Sequence, residues 1–174
     1  VQGGNAFGAA AIIGTTDNNA IDVRVNGSRV MRYEPNNVSP NVIGGSPANS
    51  VTAGVRGATI AGGGVPTGST DPDYDLEAPN RVTDAYGSIG GGFANRAGDD
   101  AGTTTDKAFA TVGGGLGNAA SGPASTVGGG QINVASGYSS VVGGGTSNIA
   151  NGFASAIGGG SSNTASGTFS SIPG

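Results

Sequence analysis

The sequence predicts an all-β fold, a parallel β-roll or β-solenoid of ~15-residue coils behind an N-terminal β-hairpin cap. Three observations predict it. An aliphatic residue recurs at Val112, Val127, Val142, Ile157 and Ile172, always 15 residues apart, and Gly-Gly-Gly follows the first four. Asn118, Asn133, Asn148 and Asn163 follow the first four of these anchors by six residues, with Ala and Gly in phase behind them. Upstream, Ile21-Asp22-Val23-Arg24-Val25 and Ser28-Arg29-Val30-Met31-Arg32-Tyr33 flank Asn26-Gly27, the signature of a two-residue hairpin.

One repeat explains itself physically only as part of a stack, because fifteen residues cannot bury an apolar face alone. Runs such as Ser139-Ser140-Val141-Val142 suit a short strand. The Gly-Gly-Gly that follows permits positive φ and close backbone approach. A second short strand covers the Asn-x-Ala part, and Asn/Ser-Gly makes the return turn. Such a coil has almost no interior, which accounts for Ala, Gly and Ser where a thicker core would carry Leu. Identical residues then stack ~4.8 Å apart, and the Asn column is expected to form an amide ladder, each side chain bonding its copies above and below.

Two domains follow. Residues 1–40 form the cap, with the hairpin at 21–33, and residues 41–174 form the roll. Earlier anchors fall at Ile43, Ile60 and Ile89, spaced 17, 29 and 23 residues to the next. The longer gaps place insertions at about 65–86 and 98–108, expected to bulge on one face. In the hairpin register Val23 opposes Val30 and Arg24 opposes Arg29. That like-charge pair requires a counter-charge, which either Asp22 or a bound anion would supply. The apolar run Ala9-Ala10-Ala11-Ile12-Ile13 fits a buried strand or a short helix. An open roll end exposes unpaired N–H and C=O groups, so a cap is physically required.

The run S-x-V-G-G-G-x-x-N-x-A-x-G-x-x-S resembles the head repeats of trimeric autotransporter adhesins, the YadA-like left-handed parallel β-roll. The coil here is one residue longer than that family's common unit. The stretch from Gly14 to Gly64 is similar to a cap that precedes such repeats. The resemblance implies left-handed coils, a homotrimer, an extracellular location and a binding role toward an extracellular protein or glycan. Similar repeats occur in phage-type tail fibres, so it implies a bacterial cell surface or a virion. The expectation is an adhesive head or fibre segment, with a passive β-solenoid spacer as the alternative. The bare Gly-Gly-Gly seam along the rod also points to a closed oligomer.

Composition excludes several classes. The protein has no Cys and no His among 174 residues, so Cys–His and Ser–His–Asp chemistry is impossible. The net charge is −4 with scattered basic residues, which excludes a clustered nucleic-acid face. No apolar run reaches membrane-spanning length, so this segment does not insert into a membrane. The expectation is a segment cut from a longer protein, with export signal and anchor elsewhere. The triple glycines lack the Gly-Lys-Ser/Thr ending of a phosphate loop. The outward Thr, Ser and Ala are too mixed for a water-ordering row.

The insertions hold most of the carboxylates, and loops on a rigid scaffold tend to carry function. Candidate ligand-binding residues are Asp73, Tyr74, Asp75, Asp99 and Asp100. Asp71, Asp73, Asp75 and Glu77 alternate as in an oxygen-rich calcium loop. Leu76 and Val82 replace the Gly and bidentate Glu of an EF-hand, so a solvated acidic loop is expected, with calcium as the alternative. A third reading pairs those acids with Asp99 or Asp100 for glycoside hydrolysis. The expectation is no enzyme and no cofactor, with further copies of the protein itself and an extracellular ligand as partners.

Overall fold

The computed structural model describes residues 12–66, 68–69 and 78–174. Among them the protein is all-β, with no helix. Strands β1 (Ile21–Val25) and β2 (Ser28–Glu34) form the hairpin, and β2 pairs antiparallel with β3 (Asn41–Gly44). From β3 onward the pairing is parallel, coil on coil. One sheet carries ten strands and begins β1-β2-β3. A second carries seven two-residue strands, from Ser50–Val51 to Thr164–Ala165.

The aliphatic anchors make the first sheet. Ile43, Ile60, Ile89, Val112, Val127, Val142, Ile157 and Ile172 pair in direct register, one per coil. The first seven are buried, and Ile172 at the last level is partly buried. Facing them from the second sheet stand Val82, Ala97, Ala120, Ala135, Ala150 and Ala165, also buried. One side of the core is Val or Ile and the other mostly Ala, which sets the roll's thinness. A third column of isolated parallel bridges joins Phe93, Leu116, Gln131, Thr146 and Ser161 between the two sheets.

The triple glycines have an intramolecular cause at two of their three positions. A Cβ on Gly128 would strike the Gly143 carbonyl, and one on Gly130 would strike that of Gly145. Gly130 also has φ +87, a conformation that favours glycine. The middle residues Gly91, Gly144 and Gly159 meet nothing within 4 Å. The seam is therefore first a requirement of coil stacking within one molecule.

The hairpin departs from the expected register. Asn26 and Gly27 both have positive φ (48 and 77), as a type I′ turn requires. Val25 opposes Ser28 and Arg24 opposes Arg29, but Val23 opposes Met31, not Val30, because the register shifts between Val23 and Arg24. The extra residue carries Asp22 opposite Arg32. Arg32 grips Asp22 through Nε at 2.7 Å and Nη2 at 3.0 Å, and Arg24 Nη2 adds a contact at 3.2 Å. Arg29 turns away and donates to the Pro47 and Asn49 carbonyls at 2.6 and 3.1 Å, tying cap to roll. Asp22 thus supplies the counter-charge internally.

The Arg32 hydrogen bond holds the Asp22 carboxyl down to about 2, against an ordinary 3.8. A depressed carboxyl stabilises the fold fully above its unfolded value and stops doing so as pH falls through the folded one. Cap stability is expected to fall between pH ~4 and ~2. Melting of wild type and Asp22→Asn across that range checks it: the variant should lose the pH dependence attributable to this group.

The insertions also differ from expectation. The backbone leaves the coil at Val65 and returns at Ala78, and these two residues exchange hydrogen bonds at 3.1 and 3.0 Å. The first insertion is therefore shorter than 65–86, because Asn80 and Arg81–Val82 already belong to the coil. The second, 98–108, follows Arg96–Ala97 and replaces the return turn. The two insertions enter at different turns of the coil and not at one.

Candidate functional site

The interior polar column builds upward from the Asn residues. Asn118, Asn133 and Asn148 are buried. Each backbone N–H donates to the Oδ1 of the Asn one coil earlier: Asn133 to Asn118 at 2.9 Å, Asn148 to Asn133 at 3.0 Å, Asn163 to Asn148 at 3.0 Å. Each of the buried Nδ2 groups donates to two glycine carbonyls, as Asn133 does to Gly129 at 3.0 Å and Gly145 at 2.8 Å. Direct amide-to-amide contacts are longer, 3.2 and 3.1 Å. The column is thus mainly side chain to backbone, not the run of amide–amide bonds expected. The reason is the turn: Gly-Gly-Gly points carbonyls inward, and the amide N–H groups satisfy them. Asn49, Asn80 and Asn95 extend the column into the insertion-bearing coils.

Asp99 and Asp100 belong to two different arrangements. Asp100 accepts from Arg81 Nη2 and, at 3.3 Å, from Arg96 Nη1. The arginines lie in register on adjacent coils. They border a shallow groove of about 360 Å³ with Ala78, Pro79, Ala94 and Ala119. Ala78, where the first insertion returns, lines the groove, and Asp100 of the second insertion holds both arginines that border it. Arg96 Nε is buried without a hydrogen-bond partner among the described residues.

Asp99 lies with Asp84 and Asp106, their carboxylate oxygens within 4.8 Å of one another. Lys107 Nζ stands 3.0 Å from Asp106 and 3.7 Å from Asp99, so an ammonium already supplies the positive charge. Its hydrogen bond lowers the Asp106 pKa, and Asp106 in turn raises that of Lys107. Buried Asp84 accepts the backbone N–H groups of Asp99 at 3.3 Å and Lys107 at 3.2 Å. It clasps both ends of the second insertion to the coil. Asp71, Asp73, Tyr74, Asp75 and Glu77 lie outside the described residues.

Sequence reasoning missed Arg81, Arg96 and Asn80 as a set. A signal was present: Asn80-Arg81 and Asn95-Arg96 recur fifteen residues apart. The spacing of the aliphatic anchors conceals it, because the insertion falls between Ile60 and Asn80.

The return-turn edge carries rings. Arg56 lies 5.7 Å from the Tyr86 ring, which stacks on Phe109 at 5.2 Å. Tyr138 stacks on Phe153 at 5.4 Å, and Phe153 meets Phe169 edge-on at 5.6 Å. Phe109, Tyr138, Phe153 and Phe169 are all exposed. All charged residues lie within 1–107, so residues 108–174 combine these rings with no charged side group at all. No helix among the described residues is long and apolar enough to cross a membrane.

Fold and site define a class: a parallel-coil repeat protein with an arginine-bordered groove. Comparison with protein-family models, curated proteins and solved structures gave no match.

Proposed function

We propose that this protein is an extracellular, adhesin-like head or fibre segment, non-catalytic, with left-handed coils. It assembles as a homotrimer and binds an extracellular protein or glycan through the surface between its insertions. The observation that carries the reading is the groove. Two guanidiniums share the single carboxylate of Asp100, leaving N–H donors for a ligand's hydroxyl or carboxylate oxygens. Three copies would meet a ligand together and multiply weak contacts. The exposed rings and absent charge of residues 108–174 favour association of copies. The repeat resemblance supports the trimer, the handedness and a place on a bacterial surface or virion. Those same coils favour a second reading, a passive spacer, because they carry neither insertion nor charge.

Light scattering is expected to give three times the mass of one polypeptide. Arrays of glycans and matrix proteins should show a ligand that Arg81→Gln/Arg96→Gln binds at least ~10-fold more weakly, the loss of charged hydrogen bonds. A stable monomer would defeat the trimer. Binding unchanged in the double variant would move the site elsewhere, and no binding at all would leave the spacer.

A further inference from the structure

Two Asn-Gly steps occur in the sequence, Asn26-Gly27 and Asn151-Gly152. At such a step the glycine nitrogen can attack the carboxamide carbon of Asn, since no Cβ shields it. A new C–N bond closes a five-membered succinimide. The original C–N bond of the carboxamide breaks, and its nitrogen leaves as ammonia, carrying the proton from the glycine amide. Water then opens either carbonyl, giving aspartate or isoaspartate. The only co-reactant is water. The step needs an unbonded glycine amide and a backbone free to swing toward the carboxamide.

The fold treats the two steps oppositely. Asn151 and Gly152 both donate their backbone N–H to the Ala165 carbonyl, at 3.0 and 3.1 Å. Gly152 is buried, and its Cβ direction is filled by the Gly167 carbonyl. Attack there would break coil-to-coil hydrogen bonds and move packed backbone. Asn26 and Gly27 are both exposed at the hairpin tip. Gly27 has nothing within 4 Å of its Cβ direction, and its N–H has no acceptor among the described residues. The turn also lies between strands carrying the opposed Arg24 and Arg29, a setting that favours a new negative charge.

We propose that Asn26 is a site of spontaneous deamidation in the folded protein and that Asn151 is protected. The product places a carboxylate at the tip beside the arginine pair. Its isoaspartyl form adds a backbone methylene to the turn, which shifts the β1–β2 register and slackens the Arg29 tie to Pro47 and Asn49. The cap would loosen with age while the coils stay intact.

The test is timed incubation of the intact protein at neutral and mildly alkaline pH, beside a sample held unfolded in urea. Cleavage after Arg and after aromatic residues, followed by mass spectrometry, reads each site. In the folded protein the –NH₂ to –OH mass gain should appear at Asn26 and not at Asn151, and rise with pH. In urea it should appear at both sites. Asn26→Gln should abolish the folded-state gain at the hairpin tip. The proposal is overturned if Asn26 stays intact in the folded protein while the unfolded sample converts. It is equally overturned if Asn151 converts as fast as Asn26.

Discussion

Gly130→Ala is expected to cost about 3 kcal/mol or more, enough to unfold much of a marginally stable domain. Three causes act together. The residue has φ +87, which an L-residue adopts only with strain. Its Cβ would overlap the carbonyl of Gly145 on the next coil. It would also lie 2.8 Å from Asn133 Nδ2, displacing that amide from its ladder position. The Gly145 carbonyl is backbone, and the Asn133 amide is held by the Gly129 and Gly145 carbonyls, so relief requires the coils to separate. Gly144→Ala is the control, because its Cβ meets nothing within 4 Å; in a monomer it should change stability by less than ~0.5 kcal/mol. Urea unfolding of the three proteins checks the contrast. Equal midpoints for the two variants would show that the triple glycines are not set by coil stacking.

Asn133→Leu should be comparably severe, about 2–6 kcal/mol. Its Nδ2 satisfies the Gly129 and Gly145 carbonyls, and its Oδ1 receives the Asn148 N–H. Leucine strands the Gly129 carbonyl and the Asn148 N–H in a buried column, at ~1–3 kcal/mol for each unsatisfied group, while the Gly145 carbonyl keeps the Gln131 N–H at 2.9 Å. It must also fit an interior whose next inward residue is as small as Ala135. Asn163→Leu should cost far less. That residue is at the last level, and its Nδ2 reaches only the Gly159 carbonyl. A steep gradient from Asn133 to Asn163 in thermal melts follows from position in the ladder. A uniform effect would mean that each Asn acts only within its own turn.

The coil was readable because each of its positions answers to one local demand. Val112, Val127 and Val142 recur every fifteen residues because each pairs with its copy. The phase of the Asn residues from Asn118 onward was equally plain. What escaped was whatever depended on contacts distant in sequence. The bulge that sets Val23 opposite Met31 follows from Asp22 gripping Arg32, which alternation along β1 does not reveal. The Arg81–Arg96 pair forms only because the coil resumes at Asn80 after the first insertion. Asp84 was visible as one acid among many. Its role as a clasp depends on the backbone N–H groups of Asp99 and Lys107, 15 and 23 residues away. In the sequence the glycine seam points to an oligomer, although carbonyls of the same molecule already demand the first and third glycines.

A column of buried Asn residues, each N–H held by the coil before it, is the spine of the roll. Native-state amide hydrogen exchange tests this residue by residue. The backbone N–H groups of Asn118, Asn133 and Asn148 should be among the slowest in the protein, exchanging only when the stack opens globally. Those of insertion residues 99–106 should exchange much faster. In Asn133→Leu, protection at Asn148 should collapse first, because its acceptor is gone. Asn amides that exchange as fast as the insertion, or protection at Asn148 that survives the substitution, would contradict the Asn spine.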